Sequence, residues 1–376
     1  MQFSIDKNAL LSHIQKVSKA SPVRSTMAIL NCILFEVKGN NLNLRTSDIE
    51  ITMSTLLDVN GVEDGSVAVP TRTILELINE AEEGEITFKS NEEGNVNLSS
   101  GKGIYEVMGR PGVEFPNIPN VVELNKIQID NGILYRMIHK SIFAVSKDEL
   151  KPALMGVLFQ IKDDEIISVA TDGHRLVKLT RKDYKSDGFV GNVIIPTKFL
   201  NLIMSYISSE GETVLTIGEN HVKVDLNSTT IYSRIIDEQF PDYESVIPTK
   251  NDKIMKTDVN KLISTIRRVS IFSNRTTHQI SLAVNKDKTK VSTVDQETMS
   301  SADEEIDVEY EGDDIVIGYN ANYIREVLKN VDSDNVILKL ASPISACLVL
   351  PEDQQENEDL VMLIMPIRLT EKENYA

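Results

Sequence analysis

The chain repeats one pattern three times, and this repetition limits the folds that its 376 residues can adopt. Each copy opens with a short alternating segment, then an aspartate, then apolar residues at helical spacing. The three openings read FSIDKNALLSHI, IQIDNGILYRMI and MKTDVNKLISTI. Asp6, Asp130 and Asp258 are therefore equivalent, and each is placed to accept hydrogen bonds from the free N–H groups of a first helical turn.

A second helix is predicted later in each copy. PTRTILELI begins at Pro70 and PTKFLNLI begins at Pro196, and proline suits a first helical turn because its missing N–H would have no helical partner. The third copy, NANYIREVL from Asn320, has lost the proline. The six predicted helices span 6–20, 70–81, 130–143, 196–208, 258–271 and 320–331.

Short β-branched runs separated by Gly, Asn or Asp lie between these helices, which is typical of antiparallel hairpins. We expect each repeat to form two half-units that share a continuous sheet with both helices on one face. The predicted strands are 32–37, 42–45, 157–161, 166–170, 214–217, 221–226, 231–235, 336–340 and 346–350.

Proline-containing segments end the first two copies. EFPNIP at 114–119 parallels QFPDYESVIP at 239–248, and prolines stiffen a connection and interrupt strand pairing. The predicted domains are therefore 1–125, 126–250 and 251–376.

Positive charge is concentrated in the predicted helices. The chain has 39 Lys and Arg against 57 Asp and Glu, for a net charge of −18. The six helices carry +6, so the remainder carries −24. Lys and Arg are good helix formers, so this division can arise without a function. The alternative is that the helices share one surface that meets a polyanion, which the acidic exterior repels elsewhere.

Several classes of protein are excluded by what the sequence contains. No apolar segment is long enough for a transmembrane helix, and the first residues lack the pattern of a signal peptide. Cys32 and Cys347 are the only cysteines, so a disulfide framework or a cysteine zinc site is excluded and a cytoplasmic location is expected. The five scattered histidines and the absence of phosphate-binding glycine motifs predict no metal and no cofactor.

The segment TDGHRL at 171–176 is the densest polar cluster. One interpretation is a hairpin turn at Asp172 and Gly173. The other is a hydrolase with His174 as the base and Asp172 orienting it, but Thr171 is the only adjacent hydroxyl. We therefore predict no catalytic residue.

Two acidic segments and one apolar segment complete the pattern. The run 303–314 is predicted to be a solvated strand face rather than a calcium loop, and 352–359 an exposed loop. The run LVMLIMPIRL at 360–369 predicts a buried final strand or, with its two methionines, an adaptable groove wall.

The motifs TDGHRL at 171–176, FPDY at 240–243 and MPIRL at 365–369, together with the threefold repeat, resemble the bacterial DNA polymerase III β subunit family of sliding clamps. The resemblance covers essentially the whole chain. It implies an α+β fold of three clamp domains, with antiparallel sheets outside and two helices per domain lining a central pore. Two such chains would join head to tail into a ring.

The resemblance also implies a processivity factor and not an enzyme. The ring would enclose duplex DNA without reading its sequence, because cations that face phosphates attract without base contacts. The implied partners are a second copy of the chain, duplex DNA, the DNA polymerase III α subunit, a clamp loader, and other replication and repair proteins carrying clamp-binding peptides. No membrane is involved.

Matching positions carry over a groove for partner peptides that bear Gln and large apolar residues. Thr171, Gly173 and Leu176 would form its floor, Met365 would gate it, and Arg175 would fix its backbone rather than contact a charge. The groove would comprise Leu154, Thr171, Gly173, His174, Arg175, Leu176, Pro241, Val246, Ser345, Leu363, Met365, Pro366, Ile367, Arg368 and Leu369.

Cations of the loop and helices are the predicted DNA contacts: Arg24, Arg72, Lys198, Arg136, Lys140, Arg267 and Arg268. Ring closure would pair Ile271 and Phe272 of one subunit with Tyr105 and Val107 on an edge strand of the other. An acidic scaffold that never encloses DNA is the competing hypothesis. Family chains commonly stop at the Arg-Leu pair matching 368–369, so Thr370 to Ala376 form an additional tail of open role, near the groove or disordered.

Overall fold

A computed structural model describes residues 1–22, 24–122 and 125–369. Six α-helices lie where the sequence predicts them, although α4 ends four residues earlier than expected. The tail Thr370 to Ala376 lies outside the described residues. The helices are α1 (Lys7–Val17), α2 (Thr71–Glu80), α3 (Asn131–Ser141), α4 (Thr197–Met204), α5 (Val259–Val269) and α6 (Ala321–Leu328).

The strands follow the three repeats. The first repeat contains β1 (Gln2–Asp6), β2 (Cys32–Lys38), β3 (Asn41–Ser47), β4 (Ile51–Asp58), β5 (Asn60–Glu63), β6 (Gly65–Pro70), β7 (Glu85–Ser90), β8 (Asn95–Ser100), β9 (Gly103–Met108) and β10 (Arg110–Pro111). The second contains β11 (Asn125–Asp130), β12 (Gly156–Ile161), β13 (Ile166–Thr171), β14 (Arg175–Arg181), β15 (Gly191–Pro196), β16 (Glu212–Ile217), β17 (His221–Leu226) and β18 (Thr229–Arg234). The third contains β19 (Lys253–Asp258), β20 (Gln279–Val284), β21 (Lys288–Asp295), β22 (Ser300–Asp307), β23 (Glu309–Glu311), β24 (Ile315–Asn320), β25 (Asn335–Leu340), β26 (Cys347–Pro351) and β27 (Glu358–Ile364).

These elements form two compact units, each with one large and one small sheet. The first unit comprises residues 1–131 and 198–235, and its sheets have the orders β5-β1-β7-β8-β9 and β10-β6-β2-β3-β4-β18-β17-β16-β11. The second comprises 132–197 and 236 onward, with the orders β15-β12-β13-β14-β27-β26-β25-β19-β23 and β22-β21-β20-β24. Every strand pairing in the described residues is antiparallel, as predicted.

The large sheets cross the boundaries between repeats. Strand β4 of the first repeat pairs with β18 of the second, and β14 of the second pairs with β27 of the third. The expectation of one continuous sheet within each repeat was therefore wrong, since the strands of the first repeat are shared between two sheets. Pairing across the boundary covers strand edges that would otherwise expose unpaired N–H and C=O groups.

Local chemistry explains where the helices begin. Asp6 accepts hydrogen bonds from the backbone N–H groups of Asn8 and Ala9 at 2.9 and 3.0 Å, and Asp258 accepts one from Lys261 at 2.7 Å, so two of the three predicted aspartate caps are confirmed and the cap at Asp130 stays a prediction. In the third repeat, Asn320 takes the place of the lost proline and caps α6 with its side-chain oxygen. The predicted apolar stripe is buried at Leu10, Ile14, Val17, Leu134, Ile138, Leu262, Ile266 and Val269.

The two acidic segments agree with their predictions to different extents. Within the run 303–314, residues 303–307 belong to β22 and 309–311 form β23, and most of their acidic side chains are exposed, so the solvated strand face is confirmed for these residues. The exposed loop expected at 352–359 is only partly correct, because Glu358 begins β27 and is buried. The last strand ends at Ile364, earlier than expected, and Pro366 follows, which lacks the N–H that strand pairing requires.

Both cysteines are buried in the structure and unpaired. Burial raises the pKa of the Cys347 thiol to about 12 and also raises that of Cys32. Among the described residues, none of the helices is long and apolar enough to cross a membrane.

Candidate functional site

The segment 171–175 is a tight turn between β13 and β14, as one of the two sequence interpretations predicts. Gly173 has a φ of +89°, a conformation that favours glycine. One carboxylate oxygen of Asp172 accepts the backbone N–H groups of His174 and Arg175 at 2.9 and 3.0 Å. The Thr171 hydroxyl donates to the Arg175 carbonyl at 2.7 Å. Asp172 thus shapes the turn, and its described hydrogen bonds leave the His174 ring unoriented for base catalysis.

Arg175 is buried at the end of this turn and holds it to two helical segments. Its guanidinium forms ion pairs with Asp172 and with Glu326 of α6, and it donates to the carbonyl of Phe143 at 2.7 Å. It also lies between the rings of Phe143 and Tyr323, with centroid distances of 5.3 and 4.9 Å. The prediction that Arg175 fixes backbone is consistent with the Phe143 bond, but the expectation that it avoids charges was wrong.

His174 stacks on Tyr323 with 5.4 Å between ring centroids. Both residues line an open cavity of about 900 Å³ in the second unit, together with Lys147, Lys151 and Lys329. Stacking gives the His174 ring a packing role, so the geometry does not favour the hydrolase interpretation. In the described part of the chain, no group of three or more His, Cys, Asp or Glu side chains is placed to hold a metal ion.

A hydrophobic cluster lies directly beside the turn. Leu176 on β14 and Leu363 on β27 face each other in the strand register and belong to this cluster. The structure therefore brings together two predicted groove residues that are far apart in sequence. Its other buried members, missed as individual residues by the sequence analysis, are Leu158, Ile167, Val169, Ile194, Tyr243 and Ala346.

Tyr243 of the FPDY motif is the most informative of these missed residues. Its ring is buried in the cluster while its hydroxyl donates to the side chain of Gln160, and burial raises its pKa to about 12. Phe240 packs edge-on against it at 6.4 Å. The motif itself was the available signal, because it places two aromatic residues within four positions of the chain.

The remaining predicted groove residues form a rim of differing exposure. Pro241 and Val246 are exposed, Ser345 is half-buried, and Leu154 is buried next to Ala153, which packs against the cluster. Met365 is exposed, and its backbone N–H donates to the carbonyl of His174 at 2.8 Å. Met365 thus lies against the turn, where a gating side chain is expected.

The last described residues run from the turn at 171–175 to β24 in the small sheet of the second unit. The backbone N–H of Ile367 donates to the carbonyl of Gly318 on β24 at 2.8 Å, and the Leu369 side chain lies against the same glycine. Pro366 is half-buried and Arg368 exposed. Ile367 and Leu369 thus also lie against β24, the edge strand of the small sheet of the second unit, and their place in the groove stays a prediction.

The predicted DNA-contacting cations divide into exposed and buried sets. Arg24, Arg72, Lys198, Arg267 and Arg268 are exposed or half-exposed. Arg268 is nevertheless ion-paired with Glu304 on the edge strand β22. The Arg268 side chain is still 57% exposed, so the guanidinium remains accessible to solvent in a pair that contributes little stability.

Arg136 and Lys140 instead belong to a buried ionic network, which corrects their predicted contact with DNA. Their side chains are only 18% and 4% exposed. Arg136 pairs with the buried Glu358 and, at 2.7 Å, with Asp332, while Lys140 reaches Asp332 at 2.6 Å. Burial alone would raise the pKa of Asp332, but hydrogen bonds from Lys140 and Arg136 outweigh it and lower that pKa.

The predicted subunit contacts lie at two sheet edges. Tyr105 is exposed and Val107 half-exposed on β9, the last strand of the small sheet of the first unit. Ile104 and Met108 of the same strand are also exposed, and the sequence analysis missed them. Ile271 and Phe272 are exposed after α5, where the Phe272 carbonyl accepts from Ser300 on the edge strand β22.

Comparison with known proteins gives one consistent result. Sequence models of the DNA polymerase III beta subunit match at 1–119 (N-terminal domain), 128–242 (central domain) and 244–368 (C-terminal domain). The beta sliding clamp of Vibrio cholerae is 28% identical over 98% of this chain and 100% of its own, and that of Escherichia coli is 26% identical with the same coverage. A crystal structure of the DNA polymerase III subunit beta from Pseudomonas aeruginosa is 27% identical, covers 98% of this chain and 100% of its own, and superimposes with a TM-score of 0.92.

Glu358→Gln is expected to destabilise the protein by about 3 kcal/mol, because it leaves Arg136 and Arg181 without their shared buried partner. Urea unfolding of the second unit, followed by intrinsic tyrosine fluorescence, measures this change. Glu356→Gln, in the exposed part of the same loop, is the matched control. Equal midpoints for the two variants would show that the network contributes no stability.

Proposed function

The chain belongs to the DNA polymerase III β subunit family, and from this membership we propose how its residues build a sliding clamp. The protein is a DNA sliding clamp, a processivity factor for replication rather than an enzyme. The observation that carries this function is the unbroken series of three β-subunit domains in a chain that spans the full length of its relatives.

The domain boundaries fall near residues 125 and 250. The first proline-containing segment and the gap between the matches at 1–119 and 128–242 support the first position. The second proline-containing segment supports the second position, although the C-terminal match begins a few residues earlier, at 244. The sheets continue across both boundaries, so each domain is a repeat of sequence rather than an isolated sheet. This continuity holds neighbouring domains together by backbone hydrogen bonds.

Two copies join head to tail and enclose duplex DNA without reading its sequence. Arg24, Arg72, Lys198, Arg267 and Arg268 contact phosphates, which supports attraction without fixed register. The acidic remainder of the chain repels DNA outside the ring. The protein works in the cytoplasm, and a clamp loader opens and closes the ring.

Partner proteins bind the groove beside the 171–175 turn. Leu176 and Leu363 form its apolar base, and the exposed Met365 and Val246 form its rim. The DNA polymerase III α subunit, the clamp loader, and other replication and repair proteins insert short peptides with large apolar residues there. An apolar base with an exposed methionine suits several different sequences, because methionine adapts its shape to the ligand.

Enclosure predicts a topological effect. After loading, the protein should remain on circular DNA and be lost rapidly from linear DNA of the same length, because a closed ring leaves only over a free end. Gel filtration of loaded complexes, with and without linearisation by a restriction enzyme, measures this retention. Equal and rapid loss from both forms would favour the acidic scaffold that never encloses DNA.

Ring closure depends on a few exposed apolar side chains. Ile271→Ala with Phe272→Ala should weaken the dimer at least tenfold, because buried apolar anchors dominate most interfaces. Analytical ultracentrifugation over a dilution series measures the dissociation constant. Val113→Ala with Leu150→Ala, at still more exposed apolar positions elsewhere, is the control, and a dimer as tight as this control would refute the interface.

The groove is tested at its exposed rim, where substitution leaves the core intact. Met365→Ala with Val246→Ala should weaken binding of a clamp-binding peptide about tenfold, by loss of apolar contact area, without changing the dimer. Fluorescence anisotropy with a labelled peptide measures the affinity. Met27→Ala with Val190→Ala is the matched control, and unchanged peptide binding in the rim variant would contradict the assignment.

A further inference from the structure

Two of the proposed DNA contacts occupy equivalent positions. Arg72 is the second residue of α2, and Lys198 is the second residue of α4, so they arise from the same place in the first two repeats. Asn322 stands at this place in α6, where the third repeat has no cation. Arg72 and Lys198 both belong to the first compact unit.

Arg72 is paired with a carboxylate of its own helix. Its Nε lies 2.8 Å from Oε1 of Glu76, one helical turn further along. The hydrogen bond to Glu76 raises the pKa of Arg72. The Arg72 side chain is 90% exposed, so the carboxylate neutralises it without removing it from solvent.

Lys198 is paired with a carboxylate that comes from a different element. Leu202 occupies the position in α4 that Glu76 has in α2, so α4 supplies no acid there. Instead Asp48, in the turn between β3 and β4, contacts the Lys198 ammonium through Oδ2. Two unrelated arrangements therefore place one carboxylate on each of the two equivalent cations.

Asp48 is held firmly in this position. Its Oδ1 accepts the backbone N–H groups of Glu50 and Ile51 at 3.1 and 2.7 Å, and its side chain is only 11% exposed. The next residue, Ile49, has a φ of +81°, which is rare for a β-branched side chain. The turn keeps a strained backbone while it holds the carboxylate against Lys198.

We propose that Asp48 and Glu76 compete with DNA phosphates for Lys198 and Arg72. This competition keeps the affinity of the ring for DNA low enough for sliding. This inference rests on the proposed enclosure of DNA. A phosphate that binds either cation must displace a carboxylate that is already there, so it gains only the difference between the two interactions. Contacts of this kind form and break with little change in energy as the duplex moves.

The competition has a measurable signature in salt dependence. Each cation that binds a phosphate steepens the dependence of log K on log salt by about 0.9 on duplex DNA. Over the range from about 50 to 200 mM salt, that corresponds to a roughly threefold additional loss of affinity per contact. Removing the competing carboxylates should therefore tighten binding at low salt and steepen the slope.

The test is Asp48→Asn with Glu76→Gln, compared with Asp58→Asn and Glu92→Gln. The control pair changes the net charge equally at exposed positions of the same unit. The Asp48→Asn substitution keeps a side-chain oxygen for the Glu50 and Ile51 N–H groups. Binding of the dimer to a short linear duplex is measured across the salt range. We expect the test variant alone to bind at least threefold more tightly at low salt, with a steeper slope, and to diffuse more slowly on circular DNA.

Three results would overturn the inference. The first is that log K of the test variant depends on log salt with the same slope as in the unchanged protein. The second is that this slope equals that of the control variant. The third is tighter binding that persists when Arg72→Ala and Lys198→Ala are added, since the gain must act through these cations. Failure of the unchanged protein to remain on circular DNA would instead count against enclosure itself.

Discussion

The pairing of strand edges across repeat boundaries is the constraint on which the rest of this structure depends. An antiparallel sheet leaves a row of unpaired N–H and C=O groups at each edge, and a chain built from repeated sheets has many edges to cover. Here β4 pairs with β18, and β14 pairs with β27 over seven register positions from Arg175 to Arg181. Covering the edges in this way also places Leu176 next to Leu363, so the same pairing that joins two repeats builds the apolar base of the groove proposed for partner peptides.

The ion pairs of the structure fall into a buried set and an exposed set with different roles. The chain carries −18 overall, yet several of its cations have a definite carboxylate partner. Buried pairs such as Arg136 with Glu358 fasten helices to strands, whereas exposed pairs such as Arg72 with Glu76 leave the cation accessible. Burial, rather than charge alone, therefore separates the cations that hold the fold together from those that a polyanion can reach.

Local patterns in the sequence predict local structure well in this protein. The helix positions, the capping by Asp6 and Asp258, and the turn at Asp172 and Gly173 each depend on residues within one turn of each other. The role of Arg136 could not be predicted in this way, because its partner Glu358 lies 222 residues away. The charge count treated Arg136 as a free cation, and only the fold shows its pairing. The proposed groove was placed by family motifs, but the hydrophobic cluster at its base also includes Tyr243 and Leu158, which only tertiary packing brings together.

The burial of both cysteines has a practical consequence. Cys347 is fully buried with a thiol pKa of about 12, and Cys32 is buried with a raised pKa, so neither presents a reactive thiolate near neutral pH. A single cysteine introduced at an exposed site should therefore react with a maleimide dye, while the thiols of Cys32 and Cys347 remain unlabelled. Individual molecules can thus be labelled and tracked by fluorescence without replacing either of the buried cysteines.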